Sequence, residues 1–171
     1  MEIKLSRCTL RPWHKGDEVS LARYANNRNV SRNLRDRFPF PYTAADAEEW
    51  IGLTAGKTPT QHFAIVVDGS GVGGIAAEPG EGERRRSAEV GYWLGEPFWG
   101  RGIATEALRA VTDYAFATFD VIRLEAGVFG WNPASARVLE KVGYTLEGRM
   151  RQAVVKDGRV GDRLLYALLR P

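Results

Sequence analysis

The segment FWGRGIATEA, residues 98–107, decides how this chain folds. Its glycines at 100 and 102 remove the Cβ atoms at a turn, and apolar residues then recur at helical spacing from Ala104 to Ala115. Such a turn directs successive backbone N–H groups and the positive end of the helix dipole to one point, and Arg101 adds a full charge. The segment therefore predicts either a site for a pyrophosphate-like anion or a glycine-rich turn without a ligand.

The sequence on either side of this turn predicts further strands and helices. The predicted strands are 3–11, 62–67, 73–78, 88–94, 124–129, 144–155 and 159–169, and the predicted helices are 18–26, 44–55, 102–118 and 133–142. Asp17 is the expected N-cap of the first helix, Thr43 with Asp46 resembles a capping box, and Asn132 is the expected N-cap of the last helix. This order predicts an α+β fold with a mixed, mostly antiparallel sheet of about seven strands and helices on both faces.

Length and composition restrict the class of protein. The chain has 171 residues, of which 44% are hydrophobic and 26% charged, as in ordinary globular domains, so we expect one domain over residues 1–171. A formal net charge of +3 slightly favours an anionic ligand. Cys8 is the only cysteine and there are two histidines, which excludes an internal disulfide and makes a metal site unexpected.

Targeting signals and macromolecular partners are also restricted by the sequence. No apolar run follows a basic stretch at the start, and no stretch approaches the roughly 18 apolar residues of a membrane span. We therefore expect a cytoplasmic protein without a membrane partner. Acidic residues balance the arginines along most of the chain, so a nucleic-acid partner is not expected. Both a monomer and a homodimer are compatible with the sequence.

Two other glycine-rich segments resemble nucleotide-binding motifs but lack the required context. Residues 69–74 fit G-x-G-x-x-G, but in a dinucleotide-binding site this motif lies at the start of a helix. The proline at 79 leaves too few residues for such a helix. Residues 52–58 have three residues between their glycines, one fewer than a phosphate-binding loop, and they follow a helix. We interpret the first segment as a hairpin and the second as a helix end.

The turn at 98–107 is one of several motifs in a fixed order. EVGYWLG precedes it at 89–95, and NPAS at 132–135, VLEKVGY at 138–144 and EG at 147–148 follow it. This ordered set resembles the GNAT family of N-acetyltransferases, and most closely its branch that acetylates the N-terminal amines of ribosomal proteins. The resemblance covers at least residues 88–148, and TLRP at 9–12 also fits. Such a set is far more specific than any single motif.

The resemblance implies that acetyl-CoA is the cofactor. Its pyrophosphate would lie on the backbone amides of residues 100–105, and its pantetheine arm would pair with the strand at 89–94 like an added strand. Backbone amides around Tyr92 to Leu94 would hold the thioester oxygen, and Asn132, which also fits as a plain N-cap, would bind the pantetheine amide. The expected cofactor-binding residues are Tyr92, Trp93, Leu94, Gly100, Arg101, Gly102, Ile103, Ala104, Thr105 and Asn132.

The implied reaction is direct attack of a primary amine on the thioester, which needs a base, an oxyanion site and a proton for the leaving thiolate. Glu89 is the candidate base, directly or through a water, or else an exposed carboxylate paired with an arginine. Ser135 is the candidate donor near the sulfur, or else a serine bonded to local backbone. In N-terminal acetyltransferases of the family, a carboxylate on the penultimate strand is assigned the role of base, and Val154 occupies that position here.

The resemblance thus predicts an acetyl-CoA-dependent N-acetyltransferase that acts on a protein or peptide N-terminus. Two alternatives stay open. One is an acetyltransferase of small amines such as polyamines, amino acids or aminoglycosides. The other, left open by Val154, is a module that binds acyl-CoA without turnover. The arginine-rich stretch at 28–37, which precedes Phe38 and Phe40, is expected to border the acceptor site.

Overall fold

The strand that precedes the turn at 98–107 lies near the centre of the sheet, and the longest helix follows that turn. The computed structural model describes residues 1–171. Its strands are β1 (Ile3–Lys4), β2 (Thr9–Pro12), β3 (His62–Val67), β4 (Ser70–Pro79), β5 (Ser87–Leu94), β6 (Arg123–Phe129), β7 (Thr145–Lys156) and β8 (Arg159–Leu169), and its helices are α1 (Glu18–Ala25), α2 (Arg28–Ser31), α3 (Ala44–Thr54), α4 (Ile103–Thr118) and α5 (Pro133–Val142). The strands form one sheet in the order β1-β2-β3-β4-β5-β6-β8-β7, in which only β5 and β6 are parallel. The predicted α+β fold is therefore confirmed.

The sheet has eight strands where the sequence predicts about seven. The prediction of one strand over residues 3–11 is wrong, because β1 and β2 form an antiparallel pair in which Ile3 lies opposite Leu10. The N–H of Leu5 donates to the carbonyl oxygen of Cys8 at 2.9 Å and closes the turn between them. This turn contains neither glycine nor proline, so no turn signal separates the two strands in the sequence.

Asp17 lies at the N-cap position of α1, as predicted, but the prediction that its side chain caps the helix is wrong, because it makes no side-chain cap bond. Its carboxylate instead accepts hydrogen bonds from Nη1 and Nη2 of Arg11 at 2.7 and 2.8 Å and from the N–H of His14 at 3.1 Å. Burial would raise the pKa of Asp17, but these hydrogen bonds outweigh it and hold the pKa below its ordinary value. A bidentate guanidinium thus competes successfully with the helix for both oxygens.

Helices cover both faces of the sheet, as predicted. Helices α4 and α5 cover one face, where Phe63, Leu108 and Leu124 are among the fully buried side chains. On the other face, α1 and α3 pack over a smaller cluster that includes Trp13 and Leu21. None of the helices is both long enough and apolar enough to cross a membrane.

Strands β5 and β6 separate after a short paired stretch. Residues 87–89 pair with residues 123–125, and no later residue of β5 pairs with β6. Both strands continue, to Leu94 and to Phe129, so the backbone groups that they direct toward each other beyond this stretch face a gap. The gap opens the sheet at its centre, next to the start of α4.

The capping box of α3 is present as predicted. The Oγ1 atom of Thr43 accepts the N–H of Asp46 at 3.2 Å, and the Asp46 carboxylate accepts the N–H of Thr43 at 2.7 Å. Hydrogen bonds from the Thr43 side chain and backbone lower the pKa of Asp46. The helix therefore begins at a residue that its sequence alone identifies.

We expect Thr43→Ala to lower the free energy of unfolding by about 1 kcal/mol, because the Asp46 N–H loses its acceptor. The pKa of Asp46 should rise toward its ordinary value. A carboxyl group whose pKa is lower in the folded than in the unfolded protein stabilises the fold above the unfolded-state pKa, and this stabilisation is lost as the pH falls through the folded-state pKa. The stability of the variant should therefore depend less on pH in the acid range. Urea unfolding and a carboxyl NMR titration measure both effects. Thr43→Ser is the control, and unchanged stability in Thr43→Ala would contradict the capping role.

Candidate active site

A cavity of about 690 Å³ occupies the gap between β5 and β6. It is lined by all the residues that the sequence marks as cofactor-binding or catalytic, namely Glu89, Tyr92, Trp93, Leu94, Gly100, Arg101, Gly102, Ile103, Ala104, Thr105, Asn132 and Ser135. Motifs that lie up to about a quarter of the chain apart thus meet at one place. Their individual roles depend on the geometry of each group.

The turn at residues 100–105 presents an unbroken run of backbone donors. None of its six N–H groups donates to a backbone carbonyl, and the first amide that does is Glu106, which donates to the Gly102 oxygen at 3.1 Å. Gly100 and Gly102 have φ values of 73° and 75°, and Arg101 between them does not share this left-handed conformation. This alternation turns successive amides to one side, and Gly102 is the N-cap of α4. The turn therefore offers the donors and the helix dipole that a diphosphate requires.

Two contacts that the sequence did not predict hold this turn in place. The carboxylate of Glu106 accepts the N–H groups of Ser6 and Arg7 at 3.0 and 2.9 Å, which ties α4 to the turn between β1 and β2. On the other side, Nε1 of Trp99 donates to the carbonyl oxygen of Leu94 at 2.6 Å. Free amides fixed in this way need little reorganisation when an anion binds.

Alternate residues of β5 direct their backbone groups into the gap. The Arg86 carbonyl points to the β6 side, where it accepts the N–H of Ile122 at 2.8 Å. Because these directions alternate along a strand, Tyr92 and Leu94 turn their N–H groups to the gap and Trp93 turns its N–H to β4. Two of the three amides expected near a thioester therefore face the cavity.

Tyr92 and Ser135 form a hydrogen-bonded pair on the α5 side of the gap. The Tyr92 hydroxyl lies 2.9 Å from Oγ of Ser135 and donates to its carbonyl oxygen at 3.0 Å. Burial raises the pKa of Tyr92 well above its ordinary value, so the hydroxyl stays protonated. Oδ1 of Asn132 accepts the N–H of Ser135 at 3.4 Å and so caps α5. The pair places a protonated donor beside the gap.

Glu89 lies on the opposite face of the sheet and forms an ion pair with Arg35. Directly across from it on β4 is Glu78, whose carboxylate lies 3.7 Å from Nη2 of Arg37. Both arginines belong to the stretch that the sequence predicts beside the acceptor site. The sequence allows two interpretations of Glu89, and the observed contact is the one in which it pairs with an arginine. Its role as a base stays a prediction.

Two further cavity residues, His62 and Arg163, were not predicted from the sequence. Burial lowers the pKa of His62, its Nδ1 atom is buried without a hydrogen-bond partner, and Nε2 lies 3.8 Å from Glu78. Neither residue belongs to a motif, and only the register of the strands brings them here. Val154, by contrast, pairs with Gly161 beyond an irregular part of β7 and does not line the cavity.

No cluster of three or more His, Cys, Asp or Glu side chains is arranged to hold a metal ion. Cys8 is buried, and burial together with the nearby Glu106 carboxylate raises its pKa to about 11. A thiol in this state is a poor nucleophile.

Comparison with known proteins agrees with this geometry. The family model described as "Acetyltransferase (GNAT) domain" matches residues 7–145. The probable N-acetyltransferase YjcK of Bacillus subtilis (strain 168) is 44% identical over 86 residues, and this match spans about half of each protein, 50% of this chain and 48% of YjcK. The ribosomal-protein-serine acetyltransferase of Escherichia coli (strain K12) is 34% identical over 82 residues, 48% of this chain and 46% of that protein.

Among solved structures, Mycobacterium smegmatis RimJ in complex with CoA-disulfide has the same fold. It matches with a TM-score of 0.82 and 27% identity over 95% of this chain and 81% of RimJ. The family model covers most of the chain. The chain therefore belongs to the GNAT family of N-acetyltransferases.

Proposed function

We propose that this protein transfers an acetyl group from acetyl-CoA to a primary amine, with a protein or peptide N-terminus as the acceptor. The observation that carries the proposal is the run of free N–H groups at residues 100–105 beside the gap between β5 and β6. The CoA compound in the RimJ structure supports the cofactor, and the similarity to a ribosomal-protein-serine acetyltransferase supports a protein acceptor.

The residues around the turn fit the charged part of acetyl-CoA. The amides of residues 100–105 would hold the diphosphate, and Arg101, whose guanidinium lies over the Phe98 ring at 5.4 Å from its centroid, adds positive charge. When bound, acetyl-CoA supplies an acyl group activated as a thioester. The N–H groups of Tyr92 and Leu94 would face its oxygen and stabilise the negative charge that develops there.

The acceptor amine would approach from the face that carries Glu89. The ion pair between Arg35 and Glu89 is exposed, with 49% and 39% of the two side chains accessible, so it is weak and an ammonium group can replace the guanidinium. Glu89 then accepts a proton from the amine, directly or through a water, and Tyr92 with its partner Ser135 supplies a proton to the leaving sulfur. One proton is taken up and one is released on opposite faces of the sheet.

We expect Tyr92→Phe to lower kcat about tenfold, because a thiolate is a good leaving group and solvent can partly replace the lost donor. The dissociation constant for acetyl-CoA should not change. Ser135→Ala should have a smaller effect, since the Tyr92 hydroxyl keeps the backbone carbonyl at residue 135 as a partner. Steady-state kinetics and calorimetry measure both quantities, and full activity in both variants would show that the pair supplies no proton.

Two measurements test the proposed function. Acetyl-CoA at about 100 times its dissociation constant should stabilise the fold by about 2.7 kcal/mol, which thermal unfolding detects. Mass spectrometry should then find acetyl groups on the α-amines of peptides after incubation with the enzyme and acetyl-CoA. Acetylation of small amines alone would contradict the peptide acceptor, and binding without any product would contradict the transferase activity.

A further inference from the structure

The cavity contains more basic than acidic side chains, and their positions separate into two groups. Its carboxylates are Glu78 and Glu89, and its basic residues are Arg35, Arg37, Arg101, Arg137, Lys141 and Arg163. Arg35 and Arg37 are paired with the two carboxylates. The other four have no carboxylate partner: Arg101 belongs to the turn that would hold the diphosphate, and Arg137 and Lys141 belong to α5. Arg163 of β8 is the only one of the four that lies on a strand of the sheet.

Arg163 lies on the same face of the sheet as Glu89, on the other side of the gap. It lies on β8 opposite Phe129 of β6, and the parallel pairing of Glu89 with Glu125 puts alternate residues 125, 127 and 129 on the Glu89 face. Residues of β5 and of the β6–β8 pair therefore flank the gap from opposite sides. A ligand that enters on this face passes between Glu89 and Arg163.

The Arg163 side chain lies close to the backbone of β6. A Cβ atom on Gly127 would fall 2.5 to 2.7 Å from three atoms of the guanidinium, so Gly127 leaves the space that this group occupies. The side chain is half-buried, and its one polar contact is with Sδ of Met150 at 3.6 Å. A guanidinium that is partly desolvated and has no carboxylate partner is suited to bind a carboxylate from a ligand.

We propose that Arg163 binds a carboxylate of the acceptor and thereby selects amines that carry an acidic group nearby, an inference that rests on the proposed function. The carboxylate could belong to an acidic side chain near a peptide N-terminus or be the α-carboxylate of a free amino acid. The same face of β8 favours the peptide, because the Trp131 ring lies against Gly161 and the Arg159 guanidinium lies 4.9 Å from that ring. A second acidic residue of a peptide would meet Arg159 there.

Matched acceptors test this inference. We expect wild-type kcat/KM to be about tenfold higher for a peptide with Asp or Glu at its second and third residues than for the same peptide with neutral residues there. Arg163→Gln should abolish this preference while kcat/KM for the neutral peptide stays within about twofold. Arg151→Gln, which removes an exposed arginine outside the cavity, should keep the preference. Arg163→Glu should reverse it in favour of lysine-containing peptides.

A second set of acceptors, free amino acids and their amides, identifies the source of the carboxylate. A preference for the free acid over its amide assigns the bound group to the α-carboxylate, and a preference confined to acidic peptides assigns it to a side chain. Thermal unfolding and acetyl-CoA binding of Arg163→Gln confirm that the variant is folded. Acetylation of the neutral peptide with no acidic preference, or a preference that survives Arg163→Gln, would overturn this inference alone. Failure to acetylate any acceptor would overturn the proposed function as well.

Discussion

Glu89→Gln is expected to lower kcat by about a hundredfold or more, because an amide cannot accept the proton that the attacking amine loses. Acetyl-CoA affinity should remain as in the wild type, since the carboxylate lies on the acceptor face. Steady-state kinetics with a peptide acceptor and calorimetry with acetyl-CoA measure the two effects. Glu83→Gln is the matched control, because Glu83 is an exposed glutamate in the short 3-10 turn at residues 82–84, outside the cavity.

A structural role of Glu89 can be separated from a catalytic one through its partner. If Glu89 served only to anchor Arg35, then Arg35→Gln would lower kcat as much as Glu89→Gln does. We expect instead that Arg35→Gln keeps a high kcat, because the carboxylate is still available to the amine. Full turnover in Glu89→Gln would contradict the base role directly.

The double variant Gly100→Ala with Gly102→Ala is expected to weaken acetyl-CoA binding by about a hundredfold. A Cβ atom at φ values of 73° and 75° costs about 1–2 kcal/mol at each position, and the backbone can escape this strain only by rotating. Rotation would break the run of N–H groups that faces the diphosphate. Calorimetric titration of acetyl-CoA into each protein measures the loss.

Gly69→Ala is the control for backbone strain. Gly69 has a φ of 79°, and a Cβ atom there, as at Gly100, would meet nothing within 4 Å. It lies in the turn between β3 and β4 and does not line the cavity. We expect this variant to lose stability and to bind acetyl-CoA as tightly as the wild type. Equal affinity in the double variant would show that the turn does not hold the cofactor.

Features that depend on near neighbours in the chain were predictable from the sequence. The turn before α4 combines glycines with a helical apolar repeat, and the capping box of Thr43 and Asp46 lies within one helical turn. The same holds for Asn132, which bonds to a residue three positions away. Each of these elements is specified by local stereochemistry, so a single sequence is enough to place it.

Features that depend on strand register were not predictable. The partner of Glu89 lies 54 residues away and that of Tyr92 lies 43 residues away, and no local pattern connects them. Arg163 reaches the cavity only because β8 pairs with β6 and Gly127 leaves room for its guanidinium. The early separation of β5 from β6, which creates the gap, is likewise a property of the assembled sheet.

A crystal structure of the protein with bound acetyl-CoA tests the central claim most directly. We expect the diphosphate to lie within hydrogen-bond distance of the N–H groups of residues 100–105 and the thioester oxygen to face the amides of Tyr92 and Leu94. A complex in which side chains elsewhere hold the diphosphate and the turn contacts no phosphate oxygen would contradict it.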